Sequence, residues 1–288
     1  MNTDTRPVLV TGASGTTGNE VVRALVDAGV PTRVLLRDQT KATKLRSGIE
    51  IAIGDFGNRT ALEATCRGAR SAFMTSFDHP DQIALQKNLI DACRKEGVGT
   101  IVRLSASSAA PDSSSRAMQL HHVGDTQLAS SGLGHCILRP SWFHQNFLTY
   151  CPGGRLRLPA GDGRIPFLDV RDIAEVAVAT LTKPGHDGKT YLLLGPALLN
   201  HREVADILTE ATGRRFVYED VAPETWRRES MAAGMSDDVA GQVLEIFARV
   251  KAGQSAISGG DLPRLLGRPG TTLAQFARDH AAALVRQF

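Results

Sequence analysis

The chain predicts an α/β fold, a doubly wound parallel sheet joined to a smaller, mostly helical C-terminal region. Two observations carry this. Through residue 140, short apolar runs alternate with amphipathic stretches. Repeated βα units of that length demand parallel strands, right-handed crossovers and helices on both faces. The first unit also holds three glycines, Gly12, Gly15 and Gly18, between an apolar run at 8–10 and a stripe of Val21, Val22, Leu25 and Val26.

That first unit reads as strand, tight turn, helix. Its turn, with Ser14, Thr16 and Thr17 between the glycines, sets free backbone N–H groups and the positive end of a helix dipole beside an anion. Gly12 permits the turn, Gly15 lets backbone approach a pyrophosphate, and Gly18 lets helix and strand pack closely. The spacing is G-x-x-G-x-x-G rather than G-x-G-x-x-G, but its place between strand and helix points to a dinucleotide and a Rossmann-type sheet. The second strand, 31–36, ends in Arg37, with Lys41 one helical turn on. An Arg there accommodates a 2′-phosphate, so NADPH/NADP is expected over NAD. Asp38 leaves the other reading open, since it could take the ribose hydroxyl if Arg37 points away.

The remaining units follow in order. A third strand at 51–53 ends in Gly54, Asp55 and Phe56, where the Asp55 carboxylate suits an adenine amine. A short helix spans 60–66, a fourth strand 71–75, and an amphipathic helix 80–95. A fifth strand covers 100–105, a helix 115–130, and a sixth strand 134–138. Ligands of such sheets lie at the carboxyl ends of the strands, which adds Thr75, Ser76, Ser105 and Pro140 to the cofactor-binding set. The Rossmann domain is placed at 1–150, with returns at about 167–195 (strand then helix at 167–181, strand at 189–194). Residues 196–288 form the substrate-side region, with helices at 201–212, 223–234, 237–251 and 271–288.

Composition narrows the class. The net charge is +3, with basic residues scattered, so no nucleic-acid or membrane surface is indicated. No apolar run approaches a bilayer span, and the N-terminus lacks a signal-peptide core. Cys66, Cys93, Cys136 and Cys151 form no C-x-x-C and read as reduced thiols rather than metal ligands. A cytoplasmic enzyme with no metal is expected, as a monomer or homodimer.

Three segments together resemble the atypical short-chain dehydrogenase/reductases, in particular the NmrA-like group: T-G-A-S-G-x-x-G at 11–18, G-D-F at 54–56, and S-G-L-x-x-x-x-L-R-P at 131–140. The likeness continues through 167–174, 188–191 and 204–208, and covers nearly the whole chain. The group includes NADPH-dependent quinone reductases and triphenylmethane-dye reductases, alongside proteins that only sense the cofactor. Ala-, Arg- and Gly-rich usage hints at a GC-rich bacterium, where such proteins tailor aromatic polyketides in antibiotic biosynthesis.

One departure matters. The superfamily's Y-x-x-x-K pair, aligned through Asp125 and Leu128, falls on Ala117 and His121. The usual acid and its partner are therefore missing, while the serine ending the fifth strand remains as Ser105. His121 and Ser105 are the candidate catalytic groups; the imidazole could bind a ribose hydroxyl or relay a proton. After the sixth strand, Trp142 and Phe143 could stack on a flat ring, with Asn146 and Phe147 beside them. Acceptors whose reduced anion is delocalised need an enzymatic acid least. The expected function is therefore NADPH-dependent hydride transfer to a quinone or polycyclic aromatic ketone. A redox sensor without turnover is the alternative, and an isomerase or dehydratase holding NADP tightly stays open.

Overall fold

The computed structural model describes residues 4–75, 79 and 81–288. The strands are β1 (Val8–Val10), β2 (Thr32–Leu36), β3 (Glu50–Ile53), β4 (Ser71–Met74), β5 (Thr100–Leu104), β6 (Gly134–Pro140), β7 (Arg155–Leu158), β8 (Lys189–Leu193) and β9 (Val217–Asp220). The helices are α1 (Thr16–Asp27), α2 (Arg59–Cys66), α3 (Gln82–Lys95), α4 (Arg116–Ala129), α5 (Val170–Thr182), α6 (His201–Thr212), α7 (Pro223–Ala232), α8 (Asp237–Lys251), α9 (Leu262–Leu266), α10 (Leu273–Asp279) and α11 (Ala281–Val285). The chain divides into two compact units. One comprises 1–111, 120–140 and 170–192; the other comprises 112–119, 141–169 and 193–288.

The first unit is built on a seven-stranded sheet of order β3-β2-β1-β4-β5-β6-β8, with β1 to β6 paired in parallel. Side chains alternate across it, as the strand period of two requires. Leu9, Leu35, Ala72, Met74 and Ile101 form one buried core with Leu62, Cys66, Leu89, Ile90, Cys93 and Leu128 of α2, α3 and α4. The opposite face carries Val8, Val10, Val34, Phe73 and Val102, all buried, and α1 and α5 pack against each other and on the strands there. Edge strand β3 leaves Ile51 and Ile53 exposed. The sheet reverses its winding at β1–β4, the position where a doubly wound sheet opens a ligand crevice.

The second unit has its own core, in which Phe147, Phe167, Phe216, Tyr218, Trp226, Phe247 and Phe276 are the buried aromatic members. It contains a strand pair that the sequence reading lacks. β7 and β9 run parallel, matching Leu156 to Tyr218. Each is four residues long, too short for its alternation to stand out from the helical stretches around it. Two further expectations are corrected. Residues 167–168 form a single bridge between Leu168 and Phe143 rather than a strand. The helix expected across 271–288 breaks at His280, where φ −112° and ψ 15° end α10 and begin α11. α6, by contrast, starts and stops on its sequence signals. Asn200 and Glu203 form a capping box and Gly213 closes it in the left-handed region.

Candidate active site

The glycine turn is shaped by close backbone approach. Gly12 adopts φ +65°, and a Cβ there would strike the Thr75 side chain. Gly18 is the tighter position, where a Cβ would stand 2.6 Å from the Gly12 carbonyl carbon and closer still to its oxygen. The turn closes through Gly15 N–H donating to Gly12 O at 2.9 Å. Gly15 is also the N-cap of α1 and supplies no side-chain cap. The first helical bond is Asn19 N–H to Gly15 O, so the amides ahead of Asn19 in the first turn have no intrahelical acceptor. Ser14, Gly15 and Thr16 are exposed, while Thr17 is buried. This turn, with no space for a Cβ at Gly12 or Gly18 and no side-chain cap on α1, fits a pyrophosphate. Thr75 is tied in through its N–H, which donates to Thr11 Oγ1 at 3.3 Å.

At the end of β2, Arg37 and Lys41 are exposed. Asp38 is engaged locally. Its carboxylate accepts from Thr40 N–H at 2.9 Å and Thr40 Oγ1 at 2.7 Å, which caps the 3₁₀ turn Gln39–Lys44. The Thr40 hydroxyl and amide hold the Asp38 carboxyl below its usual range. Asp55 likewise builds a turn, its Oδ1 accepting from Gly57 N–H at 2.7 Å and Asn58 N–H at 3.2 Å. Phe56 packs against the α2–α3 core, and its carbonyl accepts from Asn88 Nδ2 at 2.9 Å. Pro140 is buried, its carbonyl accepting from Ser107 N–H at 2.9 Å. Ser76 lies outside the described residues.

Asp125 is a buried polar group of the first unit, 3 % exposed. Its Oδ1 accepts from Arg103 Nη1. Its Oδ2 accepts from Ser105 Oγ at 2.9 Å, Arg139 Nε at 3.0 Å and Arg139 Nη2 at 2.8 Å. Arg103, 1 % exposed, also donates Nη2 to Gln86 Oε1 at 3.3 Å. A buried guanidinium of this kind requires paired charge and close packing. Gly124 supplies the packing: a Cβ there would lie 2.9 Å from Arg103 Cζ and 2.9 Å from Gln86 Oε1. Two cations therefore share one anion.

His121 stands one helical turn before Asp125 on α4, half-buried. Burial pushes its pKa down to about 4, and the charges on Arg103 and Arg139 push the same way. The imidazole is neutral at pH 7. The other candidate, Ser105, spends its hydroxyl proton on Asp125.

In the second unit, Trp142 is partly buried, with its ring 5.4 Å from that of Phe247. Phe143 and Asn146 are partly exposed. Phe147 is corrected as a substrate contact. It is 1 % exposed and packs edge-on to Phe167 at 5.1 Å, inside the core.

Sequence reasoning used Asp125 only as an alignment anchor and passed over Arg103 and Gly124. A signal was available. Arg103 is a charged residue inside an otherwise apolar central strand, and Gly124 sits mid-helix, where glycine disfavours the helix by roughly 1 kcal/mol. Among the described residues no group of three or more His, Cys, Asp or Glu could hold a metal ion. Cys66 and Cys93 bring their sulfurs to 3.5 Å in the α2–α3 core, and the Cys66 contact followed by burial raises the Cys93 thiol well above its ordinary pKa.

The NmrA-like family matches residues 4–257. The chain belongs to that family. Two relatives extend the likeness over its length. An NAD(P)H azoreductase of Xenophilus azovorans is 35% identical over 281 residues, covering 96% of this chain and 98% of that protein. A (4-alkanoyl-5-oxo-2,5-dihydrofuran-3-yl)methyl phosphate reductase of Streptomyces griseus is 31% identical over 283 residues, covering 96% and 98%. Among solved structures, an NADPH-dependent quinone oxidoreductase of Escherichia coli, complexed with NADPH, superposes with a TM-score of 0.84 at 26% identity, covering 94% of this chain and 99% of that one.

Proposed function

We propose that this member of the NmrA-like family is an NADPH-dependent reductase of conjugated acceptors such as quinones, azo compounds and polycyclic aromatic ketones. The observation that carries the reading is the glycine cradle, where Gly18 leaves no space for a Cβ and α1 begins without a side-chain cap. It is joined to full-length likeness to reductases that use the same class of cofactor. Gly12, Ser14, Gly15, Thr16, Thr17 and Gly18 hold the pyrophosphate, with Thr75 behind the turn. Arg37 and Lys41 take the 2′-phosphate, which Asp38 does not oppose, because its carboxylate is bound to Thr40. When bound, the cofactor supplies a hydride.

The protein's own part is to bind, orient and exclude water. The named substrates of the relatives (an azo group, a quinone, an acylated unsaturated lactone) all place the reducible bond in conjugation. Reduction of such acceptors makes a delocalised anion and asks little of a protein acid. That suits a site with Ala117 and a neutral His121 at the superfamily's acid positions. Trp142, Phe143 and Asn146 are assigned to the acceptor.

The test is NADPH oxidation, followed by absorbance, against a panel of quinones, azo dyes, triarylmethane dyes and anthraquinone-type ketones, with NADH in parallel. The expected result is turnover of at least one flat acceptor with NADPH preferred, and loss of that preference in Arg37→Ala. The absence of tyrosine and lysine at 117 and 121 favours one second reading, a sensor of NADP(H). Tight NADPH binding by fluorescence with no oxidation across the panel would establish that reading and overturn the reductase.

A further inference from the structure

Asp125 accepts from two guanidiniums, those of Arg103 and Arg139. Arg103 is sealed in, at 1% exposure of its side chain, while Arg139 keeps 26%. Arg139 commits Nε and Nη2 to Asp125 Oδ2, and its Nη1 has no partner among the described residues. The residue sits one position before the end of β6, at the carboxyl end of the sheet, where ligands of doubly wound sheets bind. Beside it, Ser105 is turned so that its proton faces Asp125, and His121 carries no charge at neutral pH. Neither offers an acidic proton, whereas the Arg103 guanidinium behind Asp125 is fixed in place by packing against Gly124 and Gln86.

We propose that the Arg103–Asp125–Arg139 cluster, through the guanidinium of Arg139, stabilises negative charge on the acceptor as it is reduced, in place of a protein proton donor. The inference rests on the reductase reading above. In the step, the hydride and its electron pair form a new bond to the acceptor. The acceptor's π pair moves onto oxygen or nitrogen, which becomes anionic, and the cofactor is oxidised by two electrons. The proton that neutralises the anion comes from water after transfer. A preorganised cation aimed at developing charge needs no reorganisation when the charge appears. Asp125 is a positioning residue here: it holds both guanidiniums and orients the serine hydroxyl.

The experiment uses 4-nitrophenol as the probe, titrated by its phenolate absorbance in the protein–NADP⁺ complex. The wild type is expected to bind phenolate about tenfold more tightly than phenol, an apparent pKa drop of about one unit. Arg139→Gln should abolish that preference and lower kcat by about 10- to 100-fold, with NADPH affinity unchanged. Arg139→Lys, which keeps the charge, should recover part of both. Equal binding of the two forms by the wild type, or no binding of either, overturns the proposal without any variant. So does an Arg139→Gln protein that retains the preference and kcat. NADPH oxidation by a quinone is measured alongside. If the wild type reduces the quinone but shows no phenolate preference, the charge-stabilisation proposal alone falls. If no acceptor is reduced, the reductase reading falls with it.

Discussion

Ser105 Oγ donates its proton to Asp125 Oδ2 at 2.9 Å, in a site where both residues are nearly sealed from solvent. The serine that follows β5 therefore presents lone pairs, not a proton, to anything outside the cluster. Ser105→Ala removes one of four donors to that carboxylate and leaves the two arginines in place. The expected loss is about 1 kcal/mol of stability, read by denaturant unfolding, with turnover changed by less than about tenfold. A loss of turnover near a thousandfold would return Ser105 to the role of proton donor.

His121 should not titrate near neutrality. Its folded-state pKa is depressed to about 4, first by burial and then by the two arginines. A general acid with that value is deprotonated throughout the physiological range. The pH dependence of kcat between pH 5.5 and 8 is expected to be the same in the wild type and in His121→Gln. The imidazole proton resonances should shift only below about pH 5. An inflection near 6.5 that disappears in the variant would make the imidazole a proton carrier.

Gly18→Ala sets a methyl group against the Gly12 carbonyl, which is backbone and cannot rotate away. The turn must open, and the pyrophosphate cradle opens with it. NADPH binding, followed by fluorescence, should weaken by about tenfold or more, each decade costing about 1.4 kcal/mol. Gly29→Ala is the control for general glycine effects. A Cβ there meets nothing within 4 Å, although its φ of +67° brings some strain. It should affect stability more than cofactor affinity.

Acid stability should fall early. His201 is 1 % exposed, stacked on Tyr218 with ring centres 5.5 Å apart and edge-on to Phe167 at 5.6 Å. Burial lowers its pKa from 6.5 to about 4. Because the folded value is the lower one, the unfolded chain takes the proton first as pH falls. Stability then declines between pH 6.5 and 4 and levels off below, by about 3 kcal/mol in all. Thermal unfolding of the wild type and of His201→Gln across that range checks this, the variant showing the smaller slope.

Much of the first unit could be read from the chain because each signal there is local. Apolar runs, glycine turns and amphipathic periods each lie within a dozen residues; in the second unit, helices at His201–Thr212 and Asp237–Lys251 were legible for the same reason, since they carry their own caps. What could not be read depends on partners distant in sequence. Arg103 meets Asp125 across 22 positions and Gln86 across 17. Whether Asp55 or Asp38 is free for a ligand depends on which amides the backbone turns toward it, a property of the turn and not of the residue type. The β7–β9 pair joins segments about 60 residues apart, whose four-residue patterns say little alone.

The interleaving of the two units also bears on synthesis and on engineering. The face of the sheet that carries Val8, Val10, Val34 and Phe73 is covered partly by α5, which is not made until Thr182, and its last strand ends at Leu193. A fragment stopped at Pro140 would contain the whole nucleotide fingerprint and still expose one side of its own core. On the ribosome the nascent chain must wait about forty residues beyond its sixth strand, until α5 is complete at Thr182, before that side can close. Transplanting the cofactor module into another protein therefore means carrying a discontinuous set of segments rather than an N-terminal block.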